Sequence, residues 1–220
     1  MLNTILTFVQ ETKEWQGLGF NALTAGFCFI LVEAAMLLWG RKRQLQTLWK
    51  PDMTTMSDVA GMSMTKEFFV FSFYFISFNY GLFLKSIALM TALPIGIMDA
   101  LIVIRLLQLK RLVWWEYGAG LAGLSLVAVA FFSHWEVEVF GLISTILVFP
   151  LAAQPLEMWK RQSAAGLNPR VPMTNLISAS VWIFYSLMIG SWIIVGFSSL
   201  YVVIYASTLF LWWKFTPRKS

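Results

Sequence analysis

Charge is what this sequence has least of. Asp, Glu, Lys and Arg make up 12% of its 220 residues, about half the share of an ordinary soluble domain. So few charged side chains cannot cover a soluble globule of this length. Cysteine is nearly missing too, and the single Cys28 excludes a disulfide framework within the chain. One histidine, His134, leaves no Cys/His set for a metal, and no cofactor is expected. The first sixteen residues lack the cationic start and apolar core of a secretory signal, so targeting falls to the first membrane helix. A pI near 9.4 raises nucleic acid as a partner, but the basic residues gather into no basic soluble domain, which argues against it. What the chain does have is apolar bulk, 59% of residues with a mean hydropathy of +0.72. That surface must face lipid, and an all-α integral membrane protein is expected.

Apolar runs of helical length, broken by charge, Pro, Gly and aromatic clusters, fall at 17–39, 67–86, 89–108, 114–133, 137–157, 173–193 and 195–213. Seven spans are therefore predicted. Tight turns at Lys85–Ile87 and Gly190–Ser191 make antiparallel hairpins of spans two and three and of spans six and seven. Residues 1–16 alternate apolar with polar and read either as an interfacial helix or as a frayed end.

Orientation follows from Lys and Arg. One side collects Arg41, Lys42, Arg43, Lys50, Lys66, Arg105, Lys110, Arg111, Lys160, Arg161, Arg170, Lys214, Arg218 and Lys219, and the other holds Lys13 and Lys85. The N-terminus is expected outside and the C-terminus in the cytoplasm, which an odd number of spans requires. Tryptophans agree, since Trp39, Trp114, Trp115, Trp135, Trp159, Trp212 and Trp213 mark span ends. Trp182 alone falls near the middle of a span, where its indole N–H suits a polar cavity.

An internal repeat sets the architecture. Gln44, Trp49 and Lys50 match Gln154, Trp159 and Lys160 at a spacing of 110; Ala60-Gly61-Met62 then matches Ala165-Gly166-Leu167 at 105. Tyr80, Leu82 and Ser86 meet Tyr185, Leu187 and Ser191 at that same spacing. Each copy holds three helices and the fourth stands between them, a 3+1+3 tandem. The lone helix restores parity, so both copies insert the same way up. The expected division is an interfacial segment 1–16, a first bundle 17–111, a linker helix 112–135, a second bundle 136–216 and a tail 217–220.

The stretch Pro150-Leu-Ala-Ala-Gln154-Pro155-Leu-Glu-Met-Trp159-Lys160-Arg-Gln-Ser163-Ala-Ala-Gly166-Leu-Asn168, with Trp182-Ile-Phe-Tyr185 after it, resembles the PQ-loop/MtN3 superfamily that includes the SWEET sugar transporters. The resemblance implies alternating access between two three-helix bundles. It departs in several places, among them the first copy, where Arg43 precedes Gln44. Ala153 stands where the family has the Pro of its Pro-Gln pair, and Pro94 and Ser199 occupy positions where sugar-carrying members place an Asn. Ser77 takes the place in the first copy that Trp182 holds in the second. Pro150 and Pro155, flanking Gln154, are expected to serve as the hinge.

The expected solute-binding residues are Trp182 and Ser178, one turn apart on a shared helix face, with Ser77, Asn79 and Ser199. Two acids lie deep in spans, Glu33 and Asp99, and are candidates for proton coupling. Each could instead accept a hydroxyl hydrogen bond and hold the bundle together. Gly118-x-Gly120-x-x-Gly123 has dinucleotide-loop spacing but lies inside a span with no strand before it, so close packing is expected. No nucleophile–base pair can be assembled, and no enzyme is expected. The predicted function is carriage of a small neutral polar solute, sugar-like or similar, in the plasma (inner) membrane. A nicotinamide riboside or vitamin carrier and a non-transporting ligand receptor are the alternatives. The lipid bilayer is the expected surrounding, and self-association into a homo-oligomer is left open.

Overall fold

The computed structural model describes residues 2–19, 21–49, 64–109, 112–162 and 169–215. The loop motifs at Ala60-Gly61-Met62 and Ser163 to Asn168, the cations Lys50, Lys110, Arg111, Arg218 and Lys219, and the side chains of Pro150, Ala153 and Gln154 lie outside the described residues. Every element among the described residues is a helix. They are α1 (Leu2–Gln10), α2 (Lys13–Gln16), α3 (Ala22–Leu48), α4 (Met64–Leu84), α5 (Ile87–Met90), α6 (Ala92–Leu109), α7 (Trp114–Phe132), α8 (Glu136–Arg161), α9 (Arg170–Ile189) and α10 (Trp192–Phe215). Six stretches among the described residues are long and apolar enough to cross a membrane: α3, α4, α5 with α6, α7, α9 and α10. Two compact units divide the chain, Met1–Ile143 and Ser144–Ser220.

In the first unit α4 is the central helix, packed against both α6 and α7, while α3 lies on α6. The apolar centre gathers Leu48 from α3, Met64 and Phe68 from α4, and Ile102, Val103 and Leu106 from α6. Two glycines let α7 approach α4 closely. A Cβ on Gly120 would stand 3.0 Å from the Phe68 ring, and one on Gly123 would stand 2.5 Å from Ser72 Oγ. Gly118 has open space around it, so the packing role belongs to the other two. Small residues that bring backbones together are the usual adhesive between helices in lipid, where hydrophobic burial drives nothing.

The helix ends have identifiable causes. Asn21 Oδ1 accepts the Thr24 N–H at 2.9 Å, which starts α3. Glu116 accepts the Val113 N–H at 3.1 Å from the first turn of α7. The N-terminal segment is helical and held in place. Glu14, 2% exposed, accepts from Ser86 Oγ (2.6 Å), Ile87 N (2.9 Å) and Ala88 N (3.2 Å), and so caps α5 from another part of the chain. Lys85 Nζ adds a 2.7 Å ion pair to Glu11, and Lys13 N–H donates to the Lys85 carbonyl at 2.9 Å.

One turn occurs twice. After α4, Lys85 adopts φ 53°, its N–H donates to Leu82 O, and Ser86 N–H donates to Gly81 O at 2.9 Å. After α9, Gly190 adopts φ 73°, its N–H donates to Leu187 O, and Ser191 N–H donates to Ser186 O at 2.9 Å. Both are left-handed helix stops of the Schellman kind. Their residues pair at the 105-residue offset, and the tyrosines one turn earlier, Tyr80 and Tyr185, are both buried.

In the second unit α9 packs along α10. Met158 of α8 meets Leu211 of α10, with Trp212 and Phe215 around them, and Lys214 Nζ lies 4.8 Å over the Trp159 ring. The helix α8 runs unbroken through Pro150 and Pro155.

Candidate functional site

Sequence reading ended the first span at Trp39 and counted Arg41 among the loop cations. In the structure α3 continues to Leu48, and Arg41 turns inward. Its Nε lies 2.9 Å from Asp99 Oδ1 on α6, and its Nη1 lies 3.7 Å from Glu67 Oε2 in the first turn of α4. Gln44 Oε1 accepts from Arg41 at 3.2 Å, and Tyr74, seven residues along α4 from Glu67, hydrogen-bonds it as well. Glu33 stands within electrostatic reach of Tyr74. Asp99 is completely buried and Glu67 nearly so. A guanidinium is suited to this place because its planar fork engages several oxygens and is weakly hydrated.

Of the expected residues, Asp99 and Glu33 thus belong to a cluster built with Arg41, Glu67 and Tyr74. The last three were missed as site residues. Their signal was present but weak: the three basic residues after Gly40 resemble a span end, while a helix does not have to stop there. Elsewhere in this unit, Ser77 is buried and its hydroxyl has no hydrogen-bond partner among the described residues. Asn79 Nδ2 donates to the Ala130 carbonyl at 2.6 Å and ties α4 to α7. Arg105 Nε donates to the Leu48 carbonyl at 3.0 Å and its guanidinium stacks on Trp49, so it closes the end of α3.

The second unit holds an aromatic site on α9. Trp182 is half-buried and meets Tyr185 edge-on, ring centroids 5.8 Å apart. Ser178 lies one turn before Trp182 on the same face. The Asn175 side chain hydrogen-bonds Tyr205 of α10. Ser144 and Ser186 are buried with hydroxyls that lack a partner among the described residues, and the Tyr201 hydroxyl stands 3.5 Å from the Ser144 carbonyl. Ser199 is exposed, and its hydroxyl donates to Val195 O of its own helix at 2.7 Å. Buried hydroxyls without partners are uncommon and need a reason, such as water or a polar ligand.

Helices of this length and apolarity define an integral, multi-pass membrane protein. Residues 136–220 match the family model for MtN3, described as sugar efflux transporter for intercellular exchange, and over that stretch the chain is similar to the SWEET-like MtN3 family. The family is one of membrane transporters. No curated protein and no solved structure matches the chain. The matched stretch contains Trp182, Tyr185 and the turn at Gly190.

Proposed function

We propose that the chain moves a small polar solute, sugar-like or a similar neutral metabolite, by alternating access between two three-helix bundles, 17–111 and 136–216, joined by a linker helix. The observation that carries this reading is the recurrence of one helix-ending turn with its buried tyrosine, 105 residues apart, in a chain whose second copy matches a sugar-efflux family. The proposed layout is seven spans in the plasma (inner) membrane, with the N-terminus outside and the C-terminus in the cytoplasm. The length of α8 supports its place as a span, since 26 residues rise about 39 Å against a hydrocarbon core of about 30 Å.

Trp182 offers an apolar ring face for the solute, and Ser178 a hydroxyl beside it. Ser77 and Asn79 are the corresponding polar groups of the first bundle. Ser199 keeps oxygen lone pairs for a solute donor although its O–H is held by Val195. Pro150 and Pro155 each remove a helical hydrogen bond, which makes the turn around Gln154 the place where α8 bends most easily. Asp99 and Glu33 are the proposed proton-coupling acids.

Uptake of labelled sugars, nucleosides, vitamins and amino acids into liposomes holding the purified protein tests the reading, with and without a pH gradient. Saturable uptake of a neutral polar solute is expected. Absence of flux in all four classes overturns it, and retention of a peptide terminus without flux replaces it with a receptor.

A further inference from the structure

Among the described residues three tryptophan rings carry a cation, and two of these contacts join different helices at corresponding places in the two units. Arg105 of α6 stands 5.3 Å over the ring of Trp49, just past the end of α3, and Lys214 of α10 stands 4.8 Å over the ring of Trp159 of α8. Trp49 and Trp159 are repeat partners at the spacing of 110, and their cations follow at 109 (214 − 105). The third contact, Arg43 over Trp39 at 4.7 Å, lies within α3 at a separation of one turn and ties no second element.

The surroundings correspond as well. The residue before each tryptophan is buried against the helix that supplies the cation: Leu48 lies with Ile102, Val103 and Leu106 of α6, and Met158 lies with Leu211 of α10. Arg105 adds a 3.0 Å hydrogen bond to the Leu48 carbonyl, and Lys214 also stands 5.4 Å over the Phe215 ring. Both contacts fall at the end of their unit away from its left-handed turn, because α5 with α6, and α10, start just after that turn and carry the cation within their last two turns. Trp49 and Trp159 are each half exposed, 54% and 52%. Anchorage in the headgroup layer accounts for a tryptophan at a span end, and a snorkelling cation beside it needs no partner. Neither accounts for a cation that comes in both copies from the last helix of the repeat. An indole face holds a cation without burying a carboxylate, and that attraction strengthens where water is partly excluded.

We propose that Trp49 with Arg105, and Trp159 with Lys214, are two equivalent clasps, each fastening the end of the helix that opens a repeat to the end of the helix that closes it. Each tryptophan lies five residues past the glutamine of its repeat, Gln44 (49 − 44) or Gln154 (159 − 154). The second clasp therefore holds the piece of α8 beyond its proposed bending point, and a bend there carries the ends of α8 and α10 together. That consequence rests on the carrier reading above. The clasps themselves require no solute.

Amide hydrogen exchange of the full-length protein in lipid nanodiscs, with no solute added, reads the fastening. Trp159→Leu and Lys214→Met are each expected to speed exchange at 156–161 and at 209–215 about two- to fivefold. The double variant is expected to go no further than either single one, because one change already opens the clasp. Lys214→Arg keeps the cation and is expected to exchange like the wild type, which serves where Trp159→Leu does not fold. Trp49→Leu is expected to act in the same way at 44–48 and 103–109 and to leave 156–161 unchanged. Wild-type exchange in Lys214→Met, or single effects that multiply in the double variant, overturn the clasp. So does a response of Trp159→Leu at α8 alone, which marks a tryptophan that anchors only its own helix. Coupled exchange in a protein that shows no uptake defeats the carrier reading and leaves the clasps, whereas uptake with uncoupled exchange defeats the clasps alone.

Discussion

Arg41 carries the first unit's buried charge balance, and its removal tests that directly. Arg41→Met leaves Asp99 and Glu67 without their cation inside the bundle, and a loss of about 3–5 kcal/mol is expected. Adding Asp99→Asn to Arg41→Met removes one of the two stranded acids, and most of that loss is expected to return. Thermal unfolding of the detergent-solubilised protein, followed by tryptophan fluorescence, measures both. In the second unit, Trp182→Ala takes away the ring that meets Tyr185 at 5.8 Å. A fall of about tenfold in solute affinity, or about 1.4 kcal/mol, is the expected effect if the indole stacks on cargo. Concentration-dependent uptake into liposomes reads it, with Trp182→Phe expected to retain most of the affinity. Asp99 and Glu33 were legible as single residues because an acid in an apolar run stands out. The cation paired with Asp99 was not, because Arg41 sits in a run of three basic residues whose other members, Lys42 and Arg43, are exposed. Side-chain direction on a helix, not composition, separates the inward arginine from its neighbours.

Two contacts between elements make predictions of their own. Gly123 faces Ser72 and the Phe68 backbone across the α4–α7 contact, so Gly123→Leu must push the helices apart. A cost of about 1–3 kcal/mol is expected from the overpacking. Gly118→Ala, with open space around Gly118, is expected to be neutral or slightly stabilising in the same unfolding measurement. Glu14 holds α2 to the turn between α4 and α5 through three hydrogen bonds. Glu14→Ala is expected to release the N-terminal helices and raise amide hydrogen exchange across residues 2–16, while exchange in the middle of α4 stays unchanged. Helix existence was readable from apolar run length, and the expected spans fall within a few residues of α4, α6, α7, α9 and α10. The end of α3 was not, since a charged run after Gly40 looks like a loop until a neighbouring helix supplies acids for it. Nor was the tie at Glu14, which depends on two segments more than seventy residues apart meeting.

At the scale of the whole chain, the expected repeat rests on scattered identities, and the turns at Lys85 and Gly190, 105 residues apart, share one backbone conformation. The family match covers 136–220, which carries all of the motif quoted from the sequence. The proposed orientation has its own test. With Cys28→Ser as background, a cysteine at Gln16 is expected to react with a membrane-impermeant thiol reagent added to intact cells. A cysteine at Ser220 is expected to react only after the cells are opened. Equal labelling of both from outside contradicts the layout. The paired turns also differ in how they meet one backbone requirement. One turn meets the left-handed backbone requirement with glycine, which adopts it freely, and the other with lysine, which does not. That lysine is also an anchor for the leading segment of the chain, through its ion pair to Glu11. The two turns are therefore alike in backbone but not in what they hold. A chain with glycine at position 85 would keep the helix stop but lose the ion pair to Glu11, leaving the leading segment held by Glu14 and the backbone alone.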